Sequence, residues 1–312
     1  MAHGAHDHAD DPRNAGILIW VNGALRPRGE AVVSVFDSGF VLGDGVWEGL
    51  RVHAGHPAFL ESHLDRLWQG ATAILMDIGL TRDELTRAIY ETLAANDMRD
   101  GVHVRLMVTR GVKSTPYQDP RLTIGPATVV IIAEHKEPMP ATVTEGITLF
   151  TTHVRRATPD TLDPRLNAHS KLNDITACIQ AYTAGADEAL MLDPQGFVAT
   201  CNSTHFFVVV GTPEEPEVWT SDGRFCLAGI TRGNVLEVCR GAGIPARETT
   251  FSLTDVYSAR EAFVTGTFAG LVPVRSVDGR TLGSGGRGPV VERLQRLYAD
   301  HVVADVAGRT AP

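Results

Sequence analysis

Lysine is scarce in this sequence of 312 residues. Of the 28 basic residues, three are lysines (Lys113, Lys136 and Lys171) and the rest are arginines. The chain also has no excess of positive charge, because 37 acidic residues give it a formal net charge of -9. This balance disfavours nucleic acid or an anionic membrane as the main partner. The scarcity of lysine makes any lysine that chemistry requires easy to find.

Long apolar runs and closely spaced cysteines are missing as well. No stretch reaches the roughly 18 apolar residues that a membrane span needs. The four cysteines Cys178, Cys201, Cys226 and Cys239 are too far apart for a CxxC zinc site. We therefore expect reduced cysteines in a cytoplasmic protein, with no metal and no membrane partner. Residues 1–14 are polar and His-rich, lack the apolar stretch of a signal peptide, and predict a disordered tail.

Length and periodicity predict a mixed α/β (α+β) protein of two domains. In the first half, strands such as Val102–Thr109 flank two helices, the second of which begins with a capping box at Thr81. The charged stretch EHKEPMPAT, with its two prolines, then breaks the pattern. We place an N-terminal α/β domain at residues 15–135, a linker at 136–145 and a C-terminal domain at 146–312. Each domain should be a mixed sheet with helices.

Lys171 is the lysine whose surroundings suit chemistry. It lies in LNAHSKLNDITACIQAY, between a loop and an apolar helix predicted at residues 172–184. Burying a lysine is unfavourable unless its charge is lost or paired, and a Schiff base removes the charge. The competing interpretation is an exposed lysine in the first turn of a helix, which the helix dipole slightly disfavours.

Three further features suit a phosphate group. The stretch GITR at residues 229–232 is a glycine turn into a helix, and it presents backbone N–H groups that lack partners within the helix. The stretch TGTFAG at residues 265–270 is a second turn of small residues after a strand. Arg66, in HLDRL, supplies a planar and permanently charged guanidinium. Taken singly, such features are more often ordinary turns and a solvated arginine.

Together with Lys171, these stretches resemble the class IV (fold type IV) pyridoxal-phosphate-dependent aminotransferases, and are similar to the branched-chain enzymes in particular. The matching stretches run in order from Ile19 to Tyr298: VNG, GDGVWEGLRV, HLDRL, the Lys171 segment, GADEALMLD, VWTSDGRFCLAGITR and FVTGTFAGLVPV. Seven ordered matches are far more specific than any one of them. The resemblance implies a C-terminal domain that binds pyridoxal 5'-phosphate. It also implies an active site at the domain interface, closed partly by the second subunit of a homodimer.

The resemblance also implies roles for individual residues. Lys171 would hold the cofactor as a Schiff base and carry the substrate proton as general base and then acid. The implied phosphate contacts are Arg66, Ile230, Thr231 and Thr267. We expect substrate contacts at Trp47, Arg51, His103, Arg105, Phe268 and Ala269. Branched-chain enzymes carry a tyrosine and an arginine at the His103–Arg105 pair, near the substrate carboxylate, and here histidine replaces the tyrosine. D-amino-acid enzymes of the family carry an arginine where this chain has Thr115, which favours L-amino acids.

The chain departs from the family at Thr200, where relatives place a glutamate that pairs with the pyridine nitrogen. Threonine exchanges a neutral hydrogen bond only, and His205 replaces a family asparagine nearby. The leading interpretation is a ping-pong aminotransferase with a neutral ring nitrogen, acting between an L-amino acid (branched-chain or otherwise apolar) and a 2-oxo acid. The alternatives are lyase or racemase chemistry, a register in which Asp193 or Glu188 reaches the ring, and a non-catalytic relative.

Overall fold

The computed structural model describes residues 4–311. Their contacts divide the chain into two units, which we name by their sheets. The six-stranded unit comprises Asp10–Glu137, Leu166–Lys171 and the described residues from Val302 onwards. The nine-stranded unit comprises the described residues up to Ala9, Pro138–Arg165 and Leu172–His301. Each unit combines a β-sheet with helices, which confirms the mixed α/β prediction.

Hairpins dominate the six-stranded unit. Its elements up to Glu137 are β1 (Leu18–Val21), β2 (Ala24–Pro27), α1 (Ser38–Leu42), β3 (Gly45–His53), β4 (His56–Pro57), α2 (Leu60–Ala73), α3 (Arg82–Ala95), β5 (Val102–Thr109) and β6 (Thr128–His135). The strand order is β2-β1-β6-β5-β3-β4, with every neighbouring pair antiparallel. The β1–β2 hairpin turns at Asn22-Gly23, where both residues have positive φ, as an Asn-Gly dipeptide predicts.

The sheet of this unit has one apolar face and one mixed face. Alternate residues of β3, β5 and β6, such as Leu50, Leu106 and Ile131, are buried in an apolar cluster with α2 and α3. Successive side chains of a strand point to opposite faces. The other face therefore carries Trp47 and Arg51 of β3, and the neighbouring residues of β5. That face holds the predicted substrate contacts of this unit.

The nine-stranded unit forms a mixed sheet with helices on both faces, and its last helix continues beyond His301 into residues assigned to the six-stranded unit. Its elements are α4 (Pro140–Thr144), β7 (Ile147–Thr151), α5 (Pro159–Leu162), α6 (Leu172–Thr183), β8 (Glu188–Leu192), β9 (Val198–Cys201), β10 (His205–Gly211), β11 (Pro216–Thr220), α7 (Ile230–Gly241), β12 (Ala246–Glu248), α8 (Leu253–Tyr257), β13 (Glu261–Gly266), β14 (Gly270–Val277), β15 (Arg280–Thr281) and α9 (Pro289–Val306). The strand order is β12-β11-β10-β13-β14-β7-β8-β9, and β15 pairs with β14. The β11–β12, β14–β7 and β7–β8 pairs are parallel.

The units differ from the predicted domains at three segments, because hydrogen bonds between distant residues override sequence order. Leu166–Lys171 belongs to the six-stranded unit, as do the described residues from Val302 onwards, and residues 4–9 belong to the nine-stranded unit. The predicted disordered tail also differs from the structure. Ala5 is 4% exposed, and Asn14 exchanges two 2.8 Å hydrogen bonds with the backbone of His135. Residues 1–3 of that tail lie outside the described residues.

Candidate active site

Lys171 ends the segment Leu166–Lys171 and directly precedes α6. Its side chain is half-buried, and its Nζ donates to Asn167 Oδ1 at 3.5 Å. The same Nζ lies 5.5 Å from the centre of the Trp47 ring. The apolar helix that follows does not bury its larger side chains, since Leu172 is 75% exposed. Trp47 of β3 and Asn167 of its own segment thus lie beside Lys171, and the helix that follows leaves its large apolar side chains exposed.

Hydrogen bonds fix this segment along the start of β3. The backbone N–H of Trp47 donates to the Asn167 carbonyl at 3.1 Å, and Trp47 Nε1 donates to the Ala168 carbonyl at 3.1 Å. Asn167 Nδ2 returns a 2.5 Å bond to the Trp47 carbonyl. His169 bonds the Val46 carbonyl through Nε2 at 3.0 Å, and burial lowers the pKa of its imidazole. The backbone that precedes Lys171 is thus held in place by hydrogen bonds between residues 167–169 and residues 46–47 of β3.

Cationic side chains occupy the mixed face of the sheet beside Trp47. Arg51 lies opposite His103, and Arg105 lies opposite Gly49. The Arg105 guanidinium carbon is 3.8 Å from the centre of the Trp47 ring, in the range of a cation–π contact. A Cβ on Gly49 would lie 3.1 Å from His103 Nε2 and 3.6 Å from the Trp47 ring, so glycine keeps space open among these side chains. The arrangement suits a carboxylate.

Arg51 is the most constrained of these cations. It donates through Nη1 to the Lys136 carbonyl, and partial burial lowers the pKa of its guanidinium. A guanidinium held this way stays charged at neutral pH because its ordinary pKa is far above 7. Arg51 therefore contributes fixed positive charge to the mixed face.

Arg66 lies on α2, in a buried charge cluster with Glu48 of β3 and His63 of α2. Glu48 is fully buried and accepts from Arg66 Nε at 2.8 Å, from Arg66 Nη2 at 2.7 Å and from His63 Nδ1 at 2.7 Å. Burial alone would raise the pKa of Glu48, but the bonds from Arg66 and His63 outweigh burial and hold it below its ordinary value. The two bonds to Glu48 thus hold the guanidinium of Arg66 in one orientation. A guanidinium that is already oriented is suited to bind an anion.

Thr200 lies on β9 and is 4% exposed. Its Oγ1 donates to the Thr204 carbonyl at 2.8 Å, so its single hydroxyl hydrogen is used within its own turn. His205 Nδ1 lies 3.5 Å from the same oxygen. Thr265, directly opposite His205 on β13, is fully buried, and its Oγ1 has no hydrogen-bond partner among residues 4–311. These side chains form a small polar cluster.

Gly229 caps the N-terminus of α7, which begins with Ile230 and Thr231. In the described chain no side chain caps this N-terminus, so its first N–H groups face outward from the helix. A Cβ on Gly229 would lie 2.2 Å from His205 Nε2, a distance that no side chain tolerates. Glycine at this position therefore lets the imidazole of His205 pack directly on the backbone.

The turn Thr267–Ala269 joins β13 to β14. Gly266 and Gly270 pair across its base, and Phe268 at its centre is 5% exposed. Thr267 and Ala269 are half-buried. The predicted phosphate and substrate contacts of this turn thus lie in one tight connection between adjacent strands.

Comparison with known proteins decides the family. The family model of amino-transferase class IV matches residues 45–277, which covers β3 through β14 and every predicted site residue. The chain belongs to the class IV aminotransferases.

Named branched-chain aminotransferases and related proteins cover nearly all of this class IV chain. It is 41% identical over 287 residues to branched-chain-amino-acid aminotransferase-like protein 2 of Arabidopsis thaliana, covering 92% of this chain and 50% of that protein. It is 39% identical to a putative branched-chain-amino-acid aminotransferase of Methanocaldococcus jannaschii, covering 90% of this chain and 95% of that one. The chain spans about half the length of the two Arabidopsis relatives.

A solved structure agrees with the fold. The branched-chain amino acid aminotransferase of Thermobaculum terrenum, solved in its PLP form, superposes with a TM-score of 0.82 at 25% identity. The superposition covers 94% of this chain and 95% of that one. This likeness confirms the fold type IV prediction.

The structure brings the predicted residues of this class IV protein into two groups. Lys171, Trp47, Arg51, Arg66, His103 and Arg105 belong to the six-stranded unit, and Thr200, Ile230, Thr231, Thr267, Phe268 and Ala269 belong to the nine-stranded unit. Between residues 4 and 311, no group of three His, Cys, Asp or Glu side chains is placed to hold a metal ion. No helix in that range is long and apolar enough to cross a membrane.

Sequence reasoning missed the residues that position these groups. Asn167 and His169 fix the Lys171 segment, while Glu48 and His63 orient Arg66. Glu48 carried a usable signal, because it is a charged residue at a core-facing position of a strand that otherwise buries Val46 and Leu50 there. The segment Leu166–Lys171 carried no signal of this kind, because its hydrogen bonds to β3 join residues about 120 positions apart in the sequence.

The two carboxylates of the alternative register serve local structure. Asp193 Oδ1 accepts from the backbone N–H groups of Gln195 and Phe197, each at 2.9 Å. Glu188 Oε1 accepts from Ser203 and Thr204 between β9 and β10, and burial raises the pKa of Glu188. These bonds tie Asp193 to its own turn and tie one oxygen of Glu188 to the turn between β9 and β10. Glu188 Oε2 is buried with no hydrogen-bond partner among residues 4–311, so Thr200 and Glu188 both stay candidate partners of a cofactor ring.

Proposed function

We propose that this chain is a pyridoxal-phosphate-dependent aminotransferase that moves an amino group between an L-amino acid and a 2-oxo acid. The observation that carries the proposal is the class IV family match together with the tethered position of Lys171 beside Trp47. The PLP form of the solved Thermobaculum terrenum relative supports the choice of cofactor. The names of the relatives support a branched-chain or other apolar amino acid as the donor.

The described residues fit the cofactor on three counts. The uncapped N-terminus of α7 offers the N–H groups of Ile230 and Thr231 to an anion. Gly229 itself adds no side chain to that N-terminus, where the imidazole of His205 packs on the backbone. Near His205, the buried Thr265 hydroxyl has no hydrogen-bond partner among residues 4–311, so it is available to a polar group. Thr267 and Arg66 complete the set of residues that would hold the phosphate.

The cofactor supplies an aldehyde carbon that accepts the amino group, and a ring that spreads negative charge away from the substrate α-carbon. Lys171 Nζ would anchor that aldehyde and, once displaced, act as the base that takes the α-proton and returns it. Its bond to Asn167 and its position near Trp47 limit the directions in which the amine can move. Such restriction keeps a proton carrier close to its path.

The mixed face of the sheet would bind the substrate carboxylate. Arg105, stacked on Trp47, offers a planar fork, and Arg51 adds fixed positive charge. His103 borders the open space at Gly49. Phe268 and Ala269 would contact the substrate from their turn in the nine-stranded unit. The absence of an arginine at Thr115 supports L-amino acids.

Thr200 carries no negative charge, and it would bond a neutral ring nitrogen only as a donor, by turning its hydroxyl hydrogen from the Thr204 carbonyl to the ring. A neutral partner leaves the ring less electron-withdrawing than a carboxylate would. Charge that develops on the substrate must then be stabilised elsewhere, and the arginines of the mixed face are the available cations.

The proposed assembly is a homodimer in the cytoplasm. Apolar side chains of α6 at positions 172, 175, 179 and 182 share one helix face, and all are at least half exposed. A contiguous exposed apolar face supports a protein contact. All four cysteines are free thiols, which supports a reducing compartment.

Mixing the loaded protein with an amino acid alone tests the function. We expect stoichiometric conversion of the cofactor to pyridoxamine 5'-phosphate with release of one equivalent of 2-oxo acid. L-leucine, L-glutamate and their D-enantiomers form the donor panel, with α-methylated leucine as a control that cannot lose an α-proton. Catalytic release of ammonia or inverted substrate would replace transamination with lyase or racemase chemistry.

A further inference from the structure

Residues 4–9 are docked on the nine-stranded unit. Ala5 is 4% exposed and lies in an apolar cluster with Ile147 and Leu149 of β7. The Met139 N–H donates to the Asp7 carbonyl at 3.2 Å, and His8 forms an antiparallel bridge with Pro138. One buried side chain and two backbone contacts therefore hold a segment whose composition alone predicts disorder.

This docking brings two imidazoles onto one phenyl ring. His6 and His8 are two residues apart, and their ring centres lie 5.9 Å and 6.3 Å from the centre of Phe268. The His8 ring meets Phe268 edge-on, a favourable geometry for aromatic pairs. Both histidines are exposed whereas Phe268 is 5% exposed, so the imidazoles lie on the outer side of the phenyl ring. His8 Nδ1 bonds the His6 carbonyl at 3.2 Å, which links the two histidines to each other.

Phe268 is the central residue of the turn Thr267–Ala269, which two glycines flank. Gly266 and Gly270 pair across the base of the turn, so the strand ladder fixes its ends, while residues 267–269 between them depend on other contacts for a fixed shape. Phe268 supplies those contacts, and residues 4–9 supply part of its cover. The conformation of the turn is thereby coupled to the N-terminal segment.

We propose that His6 and His8 are positioning residues, whose imidazoles hold Phe268 and with it the Thr267–Ala269 turn in the conformation that receives substrate. The inference rests on the proposed function, which gives this turn its contacts with phosphate and substrate. A loosened turn must be ordered when substrate binds, and that cost weakens binding. Proton transfer at Lys171 Nζ is unchanged once the substrate is bound, so the expected loss falls on KM and not on kcat.

The test compares the full-length, cofactor-loaded protein with a variant carrying His6→Ala and His8→Ala. We expect faster amide hydrogen exchange at residues 266–270, with exchange in β8 unchanged. KM for the amino donor should rise about two- to tenfold, the range of a lost aromatic contact, while kcat stays within about twofold. His153→Ala, an exposed histidine of the same unit, is the matched control and should leave exchange and KM unchanged.

Ring replacement separates positioning from a general structural role. A variant with His6→Phe and His8→Phe keeps aromatic cover and should restore both slow exchange and the original KM, whereas glutamine at both positions should not. Unchanged exchange in the double alanine variant would overturn the inference, as would faster exchange with an unchanged KM. If the wild-type protein fails the half-reaction with every donor, the proposed function has failed, and the positioning role is rejected with it.

Discussion

At the scale of single residues, Thr200 is the clearest chemical departure from the family, because relatives place a glutamate at this position. Its hydroxyl hydrogen goes to the Thr204 carbonyl, and the same oxygen lies 3.5 Å from His205 Nδ1. Thr200→Glu should place a carboxylate beside the cofactor ring and favour protonation of its nitrogen. The ¹⁵N chemical shift of a labelled cofactor measures that protonation directly.

Thr200→Val is the control for this substitution, because it keeps the size of the side chain and removes the hydroxyl oxygen. We expect the ring nitrogen to remain unprotonated in the valine variant. The glutamate variant should also unfold at a lower temperature, since it buries a charged group in a site that is 4% exposed. A ring-nitrogen signal that is identical in all three proteins would remove Thr200 from the cofactor site.

Lys171 can be tested against the other two lysines of the same chain. Borohydride converts an aldehyde joined to a lysine into a stable secondary amine, which survives proteolysis. Reduction of the loaded protein should label the peptide that contains Lys171 and leave those of Lys113 and Lys136 unlabelled. Lys171→Ala should lose the label, the visible absorption of the bound cofactor and nearly all turnover. A label on Lys113 or Lys136 in the wild-type protein would contradict the assignment.

At the scale of elements, sequence pattern predicted strands better than it predicted their partners. Val102–Thr109 matches β5 at both ends, because alternating burial and β-branched residues are local signals. The capping box at Thr81 also starts α3 as expected. The pairing of Leu166–Lys171 with β3 could not be predicted, because it depends on backbone and amide hydrogen bonds that carry no residue pattern. The buried Glu48 cluster likewise depends on two elements meeting.

The N-terminus of α7 yields a prediction about the phosphate site. Gly229→Ala would place a methyl group 2.2 Å from His205 Nε2 and push the imidazole or the helix start aside. Overpacking of this kind costs about 1–3 kcal/mol, so the dissociation constant for pyridoxal phosphate should rise about tenfold or more. Equilibrium dialysis with the apoprotein provides the measurement.

Gly233→Ala is a matched control for that variant, because it lies on the same helix and its added Cβ would have nothing within 4 Å. It should bind the cofactor as the wild-type protein does. Adding His205→Ala to Gly229→Ala removes the obstacle and should recover part of the lost affinity. Wild-type affinity in Gly229→Ala alone would show that the start of α7 does not hold the phosphate.

The contact between α2 and β3 predicts a pH dependence of stability. Burial lowers the pKa of His63 below its ordinary 6.5, although the bond to Glu48 opposes the shift. Folded His63 therefore stays neutral at pH values where the unfolded chain takes up a proton. The unfolded state binds more protons, so the free energy of unfolding falls as the pH drops below 6.5.

Urea unfolding at pH 7.5 and 5.5 tests this prediction with His63→Gln, whose amide can still donate to Glu48. The stability that the wild-type protein loses between the two pH values should exceed the loss in the variant by about 1 kcal/mol. The other histidines with lowered pKa, including His169, are present in both proteins and cancel in the difference. Equal losses would mean that the pKa of His63 is the same in the folded and unfolded states.

At the scale of the whole molecule, the predicted site residues are shared between the two units, and each unit fixes its own set. Lys171 is assigned to the six-stranded unit although Leu172, the next residue, belongs to the nine-stranded unit. Sequence order favours the C-terminal domain for Lys171, because the linker at 136–145 precedes it. The segment Leu166–Lys171 instead joins the six-stranded unit, because it forms hydrogen bonds with β3.

The exposed face of α6 starts directly after Lys171 and predicts the oligomeric state. Ile175 and Ile179, which are 51% and 57% exposed, lie one turn apart on this face. Charged residues at the centre of a protein contact leave buried charges without partners and cost several kcal/mol. A variant with Ile175→Asp and Ile179→Asp should therefore shift the protein from dimer to monomer in light scattering coupled to gel filtration.

Val303→Asp tests whether any loss of an exposed apolar residue has the same effect. Val303 lies on α9 and is 64% exposed, so it matches the isoleucines in character but not in position. It should leave the dimer intact. Since the resemblance implies that a second subunit helps to close the site, the monomeric α6 variant should also lose cofactor affinity while its circular dichroism is unchanged. A wild-type protein that is monomeric at micromolar concentration would contradict both expectations, because the α6 face would then be solvent-exposed in the active form.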